Sequence, residues 1–128
     1  MTGTAPAEPR QEYNAFVAGC PARQLYDRIS DKWVGLIMSA LAEDAMRYGD
    51  LSRKIDGVSQ KMLTQTLRNL ERDGLVSRTV VPTRPVQVTY ALTQLGQSLL
   101  PVVRAVKGWA EGHIDQVNAA RTTYDNAS

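Results

Sequence analysis

Apolar residues recur at helical spacing through most of this chain and alternate with polar ones in one stretch only. After Cys20-Pro21, Leu25 and Ile29 stand four apart on one face of a first helix. Proline suits the first helical position, where an N–H would have no partner, so Cys20 is the expected N-cap. Ser30 or Asp31 caps a second helix, in which Trp33, Leu36, Ile37, Ala40 and Leu41 form a packing stripe. Tyr48, Leu51 and Ile55 mark a short third helix, stopped by Asp56-Gly57. Ser59 then caps a fourth helix expected from Gln60 to Asp73, with Leu63, Leu67 and Leu70 as its buried stripe. Gly74 stands just past that helix, where a left-handed residue lets Leu75 fold back onto Leu70.

From Val76 to Val81 and from Val86 to Leu92 the pattern becomes β-branched and alternating, with Val86, Val88, Tyr90 and Leu92 on one side. Pro82 and Pro85 cannot donate to a ladder, so Pro82-Thr83-Arg84-Pro85 is read as a hairpin turn with Arg84 at its tip. A last helix starts at Thr93 and is expected to reach about Ala120, kinked or divided at Pro101. Along it Leu95, Leu99, Val102, Val106, Trp109 and His113 form a heptad seam, widened by Val103, Ala110, Ile114 and Val117. So wide an apolar face on a terminal helix needs more cover than a small core offers. A homodimer interface follows, with Leu25, Val102, Val106, Trp109, His113, Ile114 and Val117 as the expected contacts. Residues 1–14 and 121–128 are polar and expected to be mobile, which leaves 15–120 as one domain.

The pattern is mainly α with a small β-hairpin wing: a winged helix-turn-helix with terminal dimerisation helices. On the fourth helix Gln60, Lys61, Thr64, Gln65, Arg68 and Arg72 project away from the leucines, and the acids lie only at its C-terminal end. Reading a DNA major groove needs long hydrogen-bonding side chains and cations on such a face. These residues, with Ser59 at the helix start and Arg84 on the wing, are therefore the expected DNA contacts.

Composition narrows the alternatives. The 128 residues, 43% hydrophobic and 22% charged, suit one ordinary globular domain. The net charge of +2 is unevenly spread: residues 57–90 hold five basic side chains against two acidic ones. A basic centre between near-neutral flanks suits a polyanionic partner. One cysteine and one histidine exclude a multi-thiolate zinc site and make a catalytic relay hard to assemble, so no metal, cofactor or enzymatic activity is expected. The longest aliphatic stretch, Trp33 to Met38, falls far short of the ~20 residues that span a bilayer. No charged-then-apolar leader opens the chain, and a cytoplasmic, reducing location is expected.

The block GVSQKMLTQTLRNLERDGL (57–75), preceded by CPARQLYDRISDKW (20–33) and followed by TYALTQLGQSLLPV (89–102), resembles the HxlR family of MarR-like, winged-helix bacterial regulators. The likeness spans about residues 20–113. It implies a homodimer on an inverted-repeat, double-stranded DNA operator, usually near its own or an adjacent gene, and a repressor is the expected role. It also implies a family cysteine at Cys20, which in several members senses oxidants or electrophiles. Read from its own position, a thiol at a helix N-terminus is favoured as thiolate, although free cysteines are also commonly packed and inert. Competing readings are a regulator with a non-covalent effector site near Trp33, Tyr48 and Trp109, a cysteine enzyme using Cys20 with His113, and a winged helix that binds protein rather than DNA. The last would want an acidic or apolar outer face, and this face is neither.

Overall fold

In a computed structural model the described residues are 12–127, and the chain divides into two units, residues 1–30 and 31–128. The arm expected over 1–14 lies largely outside the described residues. In the first unit Asn14 Oδ1 accepts from Phe16 N–H in a local turn, and α1 runs Pro21–Ile29. Cys20 is its N-cap in extended conformation, and its carbonyl accepts the Arg23 N–H at 3.0 Å, while its thiol caps nothing. No residue of α1 is buried; Leu25 and Tyr26 are both exposed.

The second unit opens with α2 (Lys32–Ala40), where Asp31 Oδ1 accepts from Trp33 N–H at 2.7 Å, a cap that Ser30 does not share. The buried face of α2 is Val34, Ile37 and Met38, continued by Leu41; Trp33, Leu36 and Ala40 pack only at its edge. A two-residue strand that the sequence pattern did not signal, β1 (Met46–Arg47), leads into α3 (Tyr48–Lys54), which buries Leu51. Ile55 closes α3 from inside the core, and Gly57 turns the chain at φ +82°.

The fourth helix, α4, runs Gln60–Arg72, and Ser59 Oγ accepts from Met62 N–H. Leu63, Leu67 and Leu70 are fully buried. The expected C-terminal motif is present in both bonds: Leu75 N–H to Leu70 O at 2.9 Å and Gly74 N–H to Glu71 O at 3.1 Å, with Gly74 at φ +77°. Asp73 is the C-cap rather than the last helical residue.

Strands β2 (Val76–Val81) and β3 (Gln87–Leu92) pair antiparallel, and β1 adds to the far side of β3, giving the order β1-β3-β2. Val86 falls outside the ladder and is exposed, because Pro85 beside it ends the pairing. Thr93 then ties three segments together. Its N–H donates to Leu75 O, its hydroxyl donates to Gly74 O, and the same oxygen accepts from Gly96 N–H, capping the next helix.

That helix, α5, is a single element from Gln94 to Ala127. Pro101 lies within its third turn without dividing it. The expected end at Ala120 is also corrected: past Gly112 the chain contains neither glycine nor proline, so nothing breaks the helix, which continues to Ala127. Gly96, Leu100 and Val103 are buried, and Val103 packs against α2 beside Gly35. Beyond Val103 no residue of α5 enters the core.

Candidate nucleic-acid interface

Position on α4 follows from the leucine stripe. At about 100° per residue, Lys61, Gln65, Arg68 and Arg72 fall close to the direction opposite Leu63, Leu67 and Leu70, and all four are exposed. Among the described residues Lys61, Arg68 and Arg72 form no ion pair. Gln65 Nε2 reaches Asn69 Oδ1 at 3.3 Å along the same face. An open concavity of about 550 Å³ is lined by Gln60, Lys61, Thr64, Gln65 and Arg68, so five of the expected contacts are gathered at one place.

Gln60 and Thr64 lie to the side of this face, toward α3. There Tyr48 Oη stands 3.1 Å from Gln60 O and 2.9 Å from Thr64 Oγ1. With one proton to give, the phenol donates to the carbonyl and accepts from the threonine. Thr64 is half-buried in this arrangement and serves first to fix α3 against α4. The Ser59 hydroxyl oxygen is likewise engaged as the helix cap. Met62, an apolar side chain that was not among the expected contacts, is partly exposed on the other flank of α4.

The wing carries Arg84 exposed on the turn between β2 and β3, where Thr83 Oγ1 donates to Pro85 O. Arg84 is thus on a separate element from the α4 cluster. Neither concavity beside α4 is lined by Trp33 or Trp109, so the effector site expected near Trp33, Tyr48 and Trp109 is not gathered there. On α5, Val102, Val106 and Trp109 are exposed in a row with Ile114 exposed to one side of it, while His113 and Val117 are half-buried. The His113 ring stacks on Trp109 at 4.3 Å and its Nδ1 lies 2.8 Å from Trp109 O, which engages the nitrogen locally. Leu25 is exposed on α1 in the other unit, and Cys20, half-buried there, is free.

No helix is long and apolar enough to cross a membrane among the described residues. The matches to known proteins agree with the geometry. Residues 28–118 match the HxlR-like helix-turn-helix family. The HTH-type transcriptional regulator YtfH of Escherichia coli K12 is 39% identical over 121 residues, covering 94% of this chain and 96% of that protein. The solved structure of a transcriptional regulator, ytfH from Salmonella typhimurium, superposes with a TM-score of 0.83 at 40% identity, over 87% of this chain and 99% of that one. The redox regulator HypR in its oxidised form gives a TM-score of 0.67 at 36% identity, over 73% of this chain and 96% of its own. A winged helix-turn-helix whose second helix turns an acid-poor face outward, matched over most of its length by regulators of one kind, places this chain in the HxlR-like helix-turn-helix family of transcriptional regulators.

Proposed function

We propose that the chain acts as a homodimer on an inverted-repeat operator, with α4 of each subunit in the major groove and Arg84 of each wing on the flanking backbone. The observation that carries this reading is the outer face of α4: Lys61, Gln65, Arg68 and Arg72 exposed together, their cations free of ion pairs among the described residues. Such a face offers guanidinium and amide groups to base edges and ammonium groups to phosphates. Dimerisation is supported by the exposed row Val102, Val106 and Trp109 with Ile114 beside it, an apolar surface that the subunit's own core does not cover. One rigid dimer holds both half-sites, so each α4 raises the effective concentration of the other. The role is that of a cytoplasmic repressor released by an effector.

The regulatory part of the proposal rests on Cys20. It is half-buried, it stands at the N-cap position of α1 with its thiol making no capping bond, and HypR, described as a redox regulator, is a structural relative. With no second cysteine in the chain, oxidation joins two subunits through a disulfide, adds a small thiol, or yields a sulfenic acid. The test is selection of genomic DNA fragments by the reduced protein, followed by binding to the selected site with and without diamide. The reading expects a palindromic site bound by a dimer and released on oxidation of wild type but not of Cys20→Ser. Selection of no common sequence refutes the operator; equal behaviour of the two proteins refutes the switch.

A further inference from the structure

The flank of α4 that faces the sheet borders a second concavity, of about 430 Å³. Its walls are Tyr48 from α3, Thr64, Arg68 and Glu71 from α4, Arg78 from β2 and Tyr90 from β3. Arg78 and Tyr90 are directly opposed in the β2–β3 ladder, so both side chains leave the sheet on one face. That face is apolar one pair earlier, where Val76 opposes Leu92, and turns polar at this pair.

Two features of the walls suit a ligand. Tyr90 is only 8% exposed because its ring packs in the core, while its hydroxyl at the edge of the concavity bonds to no described residue and stays open to an incoming acceptor. The neighbouring Tyr48 hydroxyl, by contrast, has both its bonds filled. Arg68 and Arg78 also lack any ion pair among the described residues, and Glu71 bridges neither. Two planar guanidiniums and a phenol around one concavity are donors of the kind that grips an oxyanion. One carboxylate among two cations leaves a single positive charge to neutralise.

We propose that this concavity is a seat for one oxyanionic group, a phosphate or a carboxylate, held by Arg68, Arg78 and the Tyr90 hydroxyl. Arg68 lines both concavities, so the seat and the DNA-facing surface share a side chain. The group comes from one of two sources. A backbone phosphate of bound DNA anchors the duplex beside α4; a free small anion draws Arg68 away and competes with DNA. The backbone source rests on α4 being the reading helix, whereas binding of a free anion does not.

The experiment titrates inorganic phosphate into the DNA-free, full-length protein, with chloride holding ionic strength constant. It then measures affinity for a random-sequence duplex, using wild type, Arg78→Gln and Tyr90→Phe. Tyr90→Phe keeps the ring that packs in the core, and thermal melting verifies that both variants are folded. A free-anion seat gives saturable phosphate binding that each variant weakens by about tenfold, the equivalent of one charge-assisted hydrogen bond. A backbone seat gives no free phosphate binding. Instead both variants weaken duplex binding equally for all sequences, and Arg78→Gln makes the salt dependence shallower by about one phosphate. The seat is overturned by phosphate binding that neither variant changes, or by variants that match wild type in both assays. Failure of the α4 reading would appear elsewhere, as full duplex affinity after substitution of Lys61 and Gln65, which lie outside this concavity.

Discussion

Gly96 lies directly against the backbone carbonyl of Leu75. A Cβ at position 96 would overlap that oxygen and stand 3.1 Å from the carbonyl carbon. The same carbonyl accepts the Thr93 N–H, and the Thr93 hydroxyl joins Gly74 O to the Gly96 N–H. The start of α5 is therefore clamped to the end of α4 through backbone, and the clamp has no room for a side chain. Gly96→Ala should destabilise the fold by about 1–3 kcal/mol, the usual cost of forcing atoms into a packed site. The chemical-denaturation midpoint measures it, and an unchanged midpoint would show that the clamp opens freely.

Gly74 matters for a different reason: its φ of +77° is the left-handed conformation, and Leu95 Cδ2 is 4.0 Å from where its Cβ would stand, so space is not the constraint. Gly74→Ala should cost about 1–2 kcal/mol through backbone strain alone. Gly74→Asn should cost less, because asparagine tolerates that region better. Equal losses for the two substitutions would point to sterics instead.

Tyr48 fixes how α3 presents α4. Tyr48→Phe removes the bonds to Gln60 O and Thr64 Oγ1 while keeping the ring, and should cost roughly 1 kcal/mol. Hydrogen exchange at the first turn of α4 should rise with it. Unaltered protection there would mean that the Ser59 cap alone holds the helix start.

Val106 is 68% exposed in the subunit and touches no part of its core. If the α5 row is the dimer interface, Val106→Glu should yield a monomer in sedimentation while the subunit stays folded. Truncation within α5 is a poorer test, since Leu100 and Val103 belong to the core. A dimer that survives Val106→Glu would move the interface off this row.

What could be read from the sequence was whatever a few adjacent residues decide. The Asp31 and Ser59 caps, the Gly74 motif and the leucines of α4 are local, and the hairpin follows from its prolines. Strand β1 was not legible, since Met46-Arg47 is too short for any periodicity and exists only because β3 offers it a partner. The buried face of α2 turned from the expected stripe toward Val34 and Met38, because two apolar sides compete on that helix and only the packed core chooses between them. The concavity at Arg78 and Tyr90 depends on strand register together with the placement of α4, which joins residues far apart in the chain. The outer face of α4 was legible because it is the complement of its own leucines.

The central claim is that this face reads base sequence. The most direct measurement compares affinity for the selected operator with affinity for a scrambled duplex at fixed salt, in wild type and in Gln65→Ala with Arg68→Ala. Loss of about 1–3 kcal/mol per base contact on the operator, with far less change on the scrambled duplex, is the expected result. An operator preference as large as that of wild type in the double variant would contradict it.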